Sequence, residues 1–144
     1  MRRATVKVHP QYRPLGPGFP QRPPAPVYDI AVAELEQDIP DGFQPVRMAT
    51  IARDRESVGA QVVLAGFGTT NLRDPNSILK LHSANAAIVQ MYSHAGEFLI
   101  QTPRGQAVAD GDSGGPTYLY KDGALVVVGV TSRGDVARGD TNIT

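Results

Sequence analysis

The apolar residues of this 144-residue chain fall into short runs separated by turn-forming residues, and this spacing limits the folds that the chain can adopt. The chain contains 15 glycines and 12 prolines, which interrupt helices and favour tight turns. Short apolar runs between turns are typical of β-sandwiches and β-barrels. The pattern therefore predicts an all-β protein of one domain, or a part of one.

Several segments have the alternation and β-branched content of strands. The predicted strands are residues 5–9, 58–64, 77–82, 86–92, 97–101, 117–120 and 124–130. The last two flank Lys121-Asp122-Gly123, and an Asp-Gly pair in this position indicates a β-hairpin. Residues 28–35 are ambiguous from local sequence, because Ala and Glu favour helix whereas Ile30 and Val32 alternate as in a strand. Seven prolines between Pro10 and Pro26 predict a surface loop.

Composition excludes several classes of function. The 14 basic and 14 acidic side chains balance, which argues against a nucleic-acid or anionic-membrane surface. No apolar run approaches the roughly 18 residues of a membrane-spanning helix, and no signal peptide is visible after Met1. Without cysteine there is no disulfide framework and no thiolate metal site, and the spacing of the three histidines fits no metal motif. We therefore expect no cofactor, no metal, no nucleic-acid partner and no membrane partner.

The segment Gly111-Asp112-Ser113-Gly114-Gly115-Pro116 is the most informative part of the sequence. Its glycines leave little bulk around the serine hydroxyl, and they let the N–H groups of Gly111 and Ser113 converge. Two convergent donors beside a nucleophile match the requirement of a developing oxyanion in acyl transfer. The alternative is a flexible turn, since the same residue types dominate turns. A composition like this one gives the hexapeptide by chance in only about one in 10⁴–10⁵ chains of this length, which favours acyl transfer.

This segment resembles the nucleophile motif of the chymotrypsin/trypsin-like serine peptidases (peptidase S1). That family has a double antiparallel β-barrel fold. Further stretches resemble segments of the same family in the same order: residues 8–12, 28–35, 64–70 and 129–134. Phe67 stands where the family has a tryptophan. The resemblance implies that residues 28–35 form a strand, that residues 1–50 are the end of an N-terminal barrel, and that residues 51–144 are most of a C-terminal barrel.

The resemblance also implies catalytic roles. Ser113 would be the nucleophile, Asp29 would orient the catalytic imidazole, and the N–H groups of Gly111 and Ser113 would form the oxyanion hole. Asp112 matches the residue that pairs with a new N-terminal amine after activation cleavage.

Four further residues match substrate-binding positions. Ser132 and Gly134 would present backbone to an extended substrate, and the Ser132 hydroxyl would support a buried Asp29. Arg133 stands where the family usually has a tryptophan on the cleft wall. Ala107 matches the base of the primary pocket, so the resemblance implies a preference for a neutral residue before the cleaved bond.

The catalytic histidine of the family has no counterpart. His9 precedes Asp29 but has a Val-His-Pro context, and His82 and His94 lie after Asp29, in the wrong order. Surface or strand positions explain all three better than catalysis does. Because barrels of this kind run to about 200–250 residues, we expect the histidine segment and some strands to lie outside the chain, and the isolated chain to be inactive.

Two interpretations follow. The first is a serine endopeptidase that acts on protein or peptide substrates, is secreted or periplasmic, and is a monomer when complete. The second is a catalytically dead peptidase-fold module that binds a protein partner. Ser113, Asp29 and the oxyanion-hole residues favour the enzyme, whereas Arg133 favours the module slightly. Arg133-Gly134-Asp135 and Arg138-Gly139-Asp140 are also integrin-type tripeptides, although placement in the cleft and a loop explains them.

Overall fold

The computed structural model describes residues 3–14, 28–51, 57–69, 80–93, 96–103, 106–135 and 141–143, with backbone alone at 134–135 and 141–143. Within these ranges the chain is all-β and contains no α-helix, which confirms the predicted fold class. The strands are β1 Ala4–Val8, β2 Ala31–Leu35, β3 Gln61–Gly66, β4 His82–Tyr92, β5 Glu97–Gln101, β6 Pro116–Lys121, β7 Ala124–Val130, β8 Arg133–Asp135 and β9 Thr141–Ile143.

Most of the predicted strands are present, with shifted ends in some. The predictions for β5 and β7 have the observed bounds. The strand predicted over 28–35 begins only at Ala31. Tyr28 has a φ of 49°, a left-handed conformation that an extended strand excludes, and the Ile30 N–H donates locally to the Tyr28 carbonyl at 2.8 Å. The strand predicted over 77–82 is wrong at Lys80 and Leu81, which precede β4, and residues 77–79 lie outside the described ranges. Most of the predicted proline loop, residues 15–27, lies outside them too.

The predicted hairpin joins β6 to β7. Lys121 pairs with Ala124, so the loop contains Asp122 and Gly123 alone. Their φ angles are 51° and 78°, the two positive values that a type I′ turn requires. The hairpin predicted from the Asp-Gly pair is therefore confirmed.

Seven strands form one sheet in the order β7-β6-β3-β4-β5-β9-β8. β7 and β8 are consecutive in the chain, yet they lie at opposite edges of this sheet. The step from Val130 to Arg133 spans at most about 11 Å, whereas a flat sheet of this size would be about 29 Å wide. The sheet must therefore curl towards a barrel, with β7 and β8 as two parts of one strand interrupted at Thr131 and Ser132. With β7 and β8 counted as one interrupted strand, the described part of this sheet has six strands.

The core lies inside the curled sheet. Its buried residues are Val62, Leu64, Ala86, Ile88, Phe98, Ile100 and Val108. Ile88 and Ile100 face each other across β4 and β5, and both are fully buried. Val108 belongs to the segment before the serine motif, so its burial anchors that segment to the barrel interior.

β1 and β2 form a separate two-stranded antiparallel sheet with one apolar face. The register places six apolar side chains on this face: Ala4, Val6, Val8, Ala31, Ala33 and Leu35. The opposite face carries Thr5, Lys7, Val32 and Glu34. Every one of these residues is exposed, with Val6 at 62% and Val8 at 53%. We call the first surface the apolar face of the β1–β2 sheet.

Candidate active site

The segment that leads to Ser113 makes a tight turn. The Asp112 N–H donates to the Ala109 carbonyl at 3.0 Å, and Gly111 has a φ of 98°. Only glycine adopts this conformation readily. A Cβ at position 111 would also lie 3.2 Å from the Cα of Gly68. Glycine is therefore required here both by the backbone conformation and by the space available.

The backbone N–H groups of the serine motif differ in whether they donate to a backbone carbonyl. The N–H groups of Asp112, Gly114 and Gly115 donate to backbone carbonyls. The N–H groups of Gly111 and Ser113 donate to none within the described part of the chain. Both residues are exposed at the surface. The motif thus presents two backbone donors next to an exposed hydroxyl.

The carboxylate of Asp112 is held by the backbone. Oδ1 accepts from the Gly68 N–H at 2.8 Å, and Oδ2 accepts from the Ala109 N–H at 3.0 Å. A Cβ at Gly66 would lie 2.0 Å from Oδ1, and one at Gly68 would lie 2.3 Å from Cγ. The Gly66-Phe67-Gly68 turn therefore has glycines because the carboxylate packs directly against it. Phe67 itself is exposed.

Asp112 also lies on the wall of a cavity of about 390 Å³. Leu64 and Val108 supply apolar walls, and His82 and Ala107 line the same cavity. Polar residues line it too, among them Ser83 and Gln106, so the Asp112 carboxylate faces a cavity of mixed polarity. Ala107, which was expected at the base of the primary pocket, is exposed and lines this cavity as well.

Asp29 and the two glycines after Ser113 form hydrogen bonds with adjacent residues, Ser132 and Thr131. The Ser132 hydroxyl donates to Asp29 Oδ2 at 2.7 Å. The neighbouring Thr131 accepts from the Gly114 N–H at 2.8 Å and donates to the Gly115 carbonyl at 2.8 Å. Asp29 is therefore hydrogen-bonded to Ser132, and the residues after Ser113 are hydrogen-bonded to Thr131.

The resemblance implied that Asp29 would be buried, and this is wrong for the structure. Asp29 is exposed, because it directly precedes β2 and the whole β1–β2 sheet is exposed. The hydrogen bond from Ser132 is the side-chain contact that holds it.

Arg133 is engaged in an ion pair that sequence reasoning missed. Its Nη2 donates to Glu97 Oε2 at 2.6 Å, and the two side chains are only 13% and 10% exposed. Its Nη1 donates to the Ser132 hydroxyl at 3.3 Å. No local signal pairs Glu97 with a residue 36 positions away. This pair also removes the Arg133 tripeptide from consideration as an integrin ligand, because the guanidinium is occupied and largely buried.

Within the described part of the chain, no hydrogen bond or ring contact joins His9 or His82 to Ser113. The His9 ring stacks on Tyr28 with centroids 4.6 Å apart, and its Nδ1 accepts from the Gln11 N–H at 3.2 Å. His82 lines the Asp112 cavity, and His94 falls outside the described ranges. Among the described residues, no three His, Asp or Glu side chains are grouped to hold a metal ion. The same part of the chain has no helix that is long and apolar enough to cross a membrane.

An antiparallel sheet that curls into a barrel and presents a Gly-Asp-Ser-Gly-Gly loop has the fold of the double-barrel serine peptidases. The sequence profile of the Trypsin family matches residues 1–144, so the chain belongs to that family. Among solved structures, it is similar to neuropsin, a serine protease expressed in the limbic system of mouse brain. The two share 23% identity and a TM-score of 0.66 over 97% of this chain, which spans 63% of the neuropsin chain. Comparison with curated proteins gives no match.

Proposed function

We propose that this chain is the nucleophile-bearing part of a serine endopeptidase. The observation that carries the proposal is the convergence of Asp29 and the Ser113 loop on Thr131 and Ser132. A hydrogen bond across 103 positions brings the carboxylate to this segment, and the two backbone bonds of Thr131 fix the residues after the serine to it. Trypsin-like peptidases act on protein or peptide substrates, and we propose such substrates here.

In this proposal, Ser113 Oγ attacks the carbonyl carbon of the peptide bond as the base takes its proton. The C–N bond then breaks, the amine leaves with that proton, and water hydrolyses the resulting Ser113 acyl-enzyme to release the acid and restore the hydroxyl. The N–H groups of Gly111 and Ser113, which donate to no carbonyl in the described part of the chain, receive the developing negative charge on the carbonyl oxygen. The serine needs a base to take its proton. We assign this role to an imidazole from outside these 144 residues, oriented by the Asp29 oxygen that Ser132 leaves accessible.

The apolar face of the β1–β2 sheet supports a division of the chain into two barrels. A two-stranded sheet alone is marginally stable, and one apolar face normally packs on a core. We propose that residues 1–50 end an N-terminal barrel whose other strands cover this face, and that residues 51–144 form most of the C-terminal barrel. We further propose that the complete protein is a secreted or periplasmic monomer.

The cavity beside Asp112 supports a role in activation. Its carboxylate and apolar walls suit a chain-terminal amine followed by an apolar side chain. We propose that such a terminus, freed by cleavage, pairs with Asp112.

We assign four residues to the substrate cleft. Ser132 and Gly134 offer backbone groups, and Ala107 lies at the base of the primary pocket. Arg133 occupies the wall position, and we propose that its side chain makes no contact with substrate, because its guanidinium is bound to Glu97 and largely buried.

The test uses the protein encoded by the complete parental reading frame, treated with a fluorophosphonate probe that reacts with activated serines. We expect labelling that disappears in Ser113→Ala, a substitution at an exposed side chain that leaves the fold unchanged. Folded complete protein that resists the probe would contradict the enzyme, and the module that binds a protein partner would then be preferred.

A further inference from the structure

We propose that Arg133 and Glu97 are a positioning pair for Asp29, acting through the hydroxyl of Ser132. The inference rests on the proposed function, because it is Asp29's role that the pair would serve. The family resemblance does not supply this role, since it places a tryptophan at position 133.

The sheet register brings the two charged residues onto one face. Arg133 on β8 pairs with Ile143 on β9, which pairs in turn with Leu99 on β5. Glu97 lies two residues before Leu99 and therefore on the same face of β5. The Arg133 side chain reaches past β9 to make the 2.6 Å contact with the carboxylate of Glu97.

Burial strengthens the ion pair between Arg133 and Glu97. The two side chains are 13% and 10% exposed, so water competes little for either charge. A guanidinium presents its donors in a rigid fork. With Nη2 bound to Glu97, the fork places Nη1 3.3 Å from Ser132 Oγ, to which Nη1 donates.

The donor and acceptor capacity of the Ser132 hydroxyl links Arg133 to Asp29. Ser132 Oγ has one hydrogen and two lone pairs, and arginine can only donate. A hydroxyl that accepts from Arg133 must direct its own hydrogen elsewhere, and Asp29 Oδ2 lies 2.7 Å away. Arg133 thus restricts the rotation of the Ser132 hydroxyl to the orientation that donates to Asp29. Glu97 holds Arg133 in the position where it does so.

The experiment is a double-mutant cycle between two residues that do not touch. Arg133→Lys is made in the wild-type protein and in an Asp29→Ala background, which removes the acceptor of the Ser132 hydroxyl, and a urea unfolding curve is measured for each. Lysine keeps the charge but has a single nitrogen, so it cannot bind Glu97 and Ser132 in the same fork geometry. We expect Arg133→Lys to change the unfolding constant three- to tenfold more, roughly, in the wild type than in Asp29→Ala. With Ser132→Ala added to both backgrounds, this difference should vanish.

If Arg133 only fastened β8 to β5, Arg133→Lys would lower the free energy of unfolding by the same amount in both backgrounds. That additive result would overturn the inference. Should Arg133→Lys fail to fold, Glu97→Gln carries the same cycle, because it removes the charge that holds the guanidinium. A difference that persists after Ser132→Ala would also overturn it, since the coupling would not pass through the hydroxyl.

Activity gives a second readout in the complete protein. We expect Arg133→Lys to lower kcat on the order of tenfold while KM changes less than about twofold, because a misplaced carboxylate impairs orientation of the base rather than binding. A change confined to KM would contradict positioning. If the wild-type protein has no activity, the proposed function fails, and the urea cycle still decides whether Arg133 positions Asp29.

Discussion

The carboxylate of Asp112 packs directly on the backbone of Gly68, from which it accepts a hydrogen bond at 2.8 Å. The two residues are 44 positions apart. A Cβ on Gly68 would lie 2.3 Å from the Asp112 Cγ. The end of β3 and the loop that carries Ser113 are therefore one packed unit, and a change in either disturbs the other.

We expect Gly68→Ala to destabilise the protein by about 3 kcal/mol in urea unfolding. The new methyl group overlaps the carboxylate, which can withdraw only by losing its hydrogen bonds to Gly68 and Ala109. Gly59→Ala is the control: position 59 has a φ of 93° but nothing within 4 Å, so its cost is backbone strain of about 1–2 kcal/mol. A smaller loss for Gly68→Ala than for Gly59→Ala would contradict the packing described here.

The isolated 144-residue chain should not react with a fluorophosphonate probe. A serine hydroxyl is a weak nucleophile without an adjacent base, and His9, the histidine that precedes Asp29, is stacked on Tyr28. The measurement is in-gel fluorescence of the purified chain, with Ser113→Ala as the background level. Labelling of the chain above that background would show that a base for Ser113 lies within these 144 residues.

The apolar face of the β1–β2 sheet should make the isolated chain self-associate. We expect its apparent mass in light scattering to rise with concentration, because a large uncovered apolar surface favours association. Val6→Thr combined with Val8→Thr should reduce this rise, since both residues lie on that face. Val32→Thr is the matched control on the opposite face of the same sheet. Equal effects from the two faces would count against the apolar face as the contact surface.

The complete protein should cleave peptides after neutral residues. An uncharged pocket base at Ala107 cannot balance a buried guanidinium, and an unpaired buried charge costs several kcal/mol. Ala107→Asp should therefore shift cleavage in a peptide library towards Arg and Lys. Asp110→Asn, at a neighbouring exposed carboxylate, should leave the preference unchanged. A wild-type preference for Arg or Lys that Asp110→Asn abolishes would assign the pocket base to Asp110 instead.

Features that depend on neighbouring residues were predictable from the sequence. The Asp122-Gly123 turn followed from the two positive φ angles that these residues tolerate. The bounds of β5 and β7 followed from short apolar runs limited by turn residues. The serine motif was visible for the same reason, since its glycines act on the backbone within a few residues of Ser113.

Features that depend on strand register were decided by the tertiary structure. The sequence showed no reason for Glu97 to meet Arg133, because the two share a face only after β9 has paired with both β5 and β8. The late start of β2 likewise escaped local propensity. The exposure of Asp29 agrees with the usual exposure of aspartate, whereas the family resemblance implied burial. The contact between Ser132 and Asp29 spans 103 positions, and the family resemblance rather than any local pattern pointed to it. The sequence by itself determined the approximate positions of most strands and the Asp122-Gly123 turn. The curling of the sheet decided which distant side chains lie within hydrogen-bonding distance, because only a folded sheet fixes their separation.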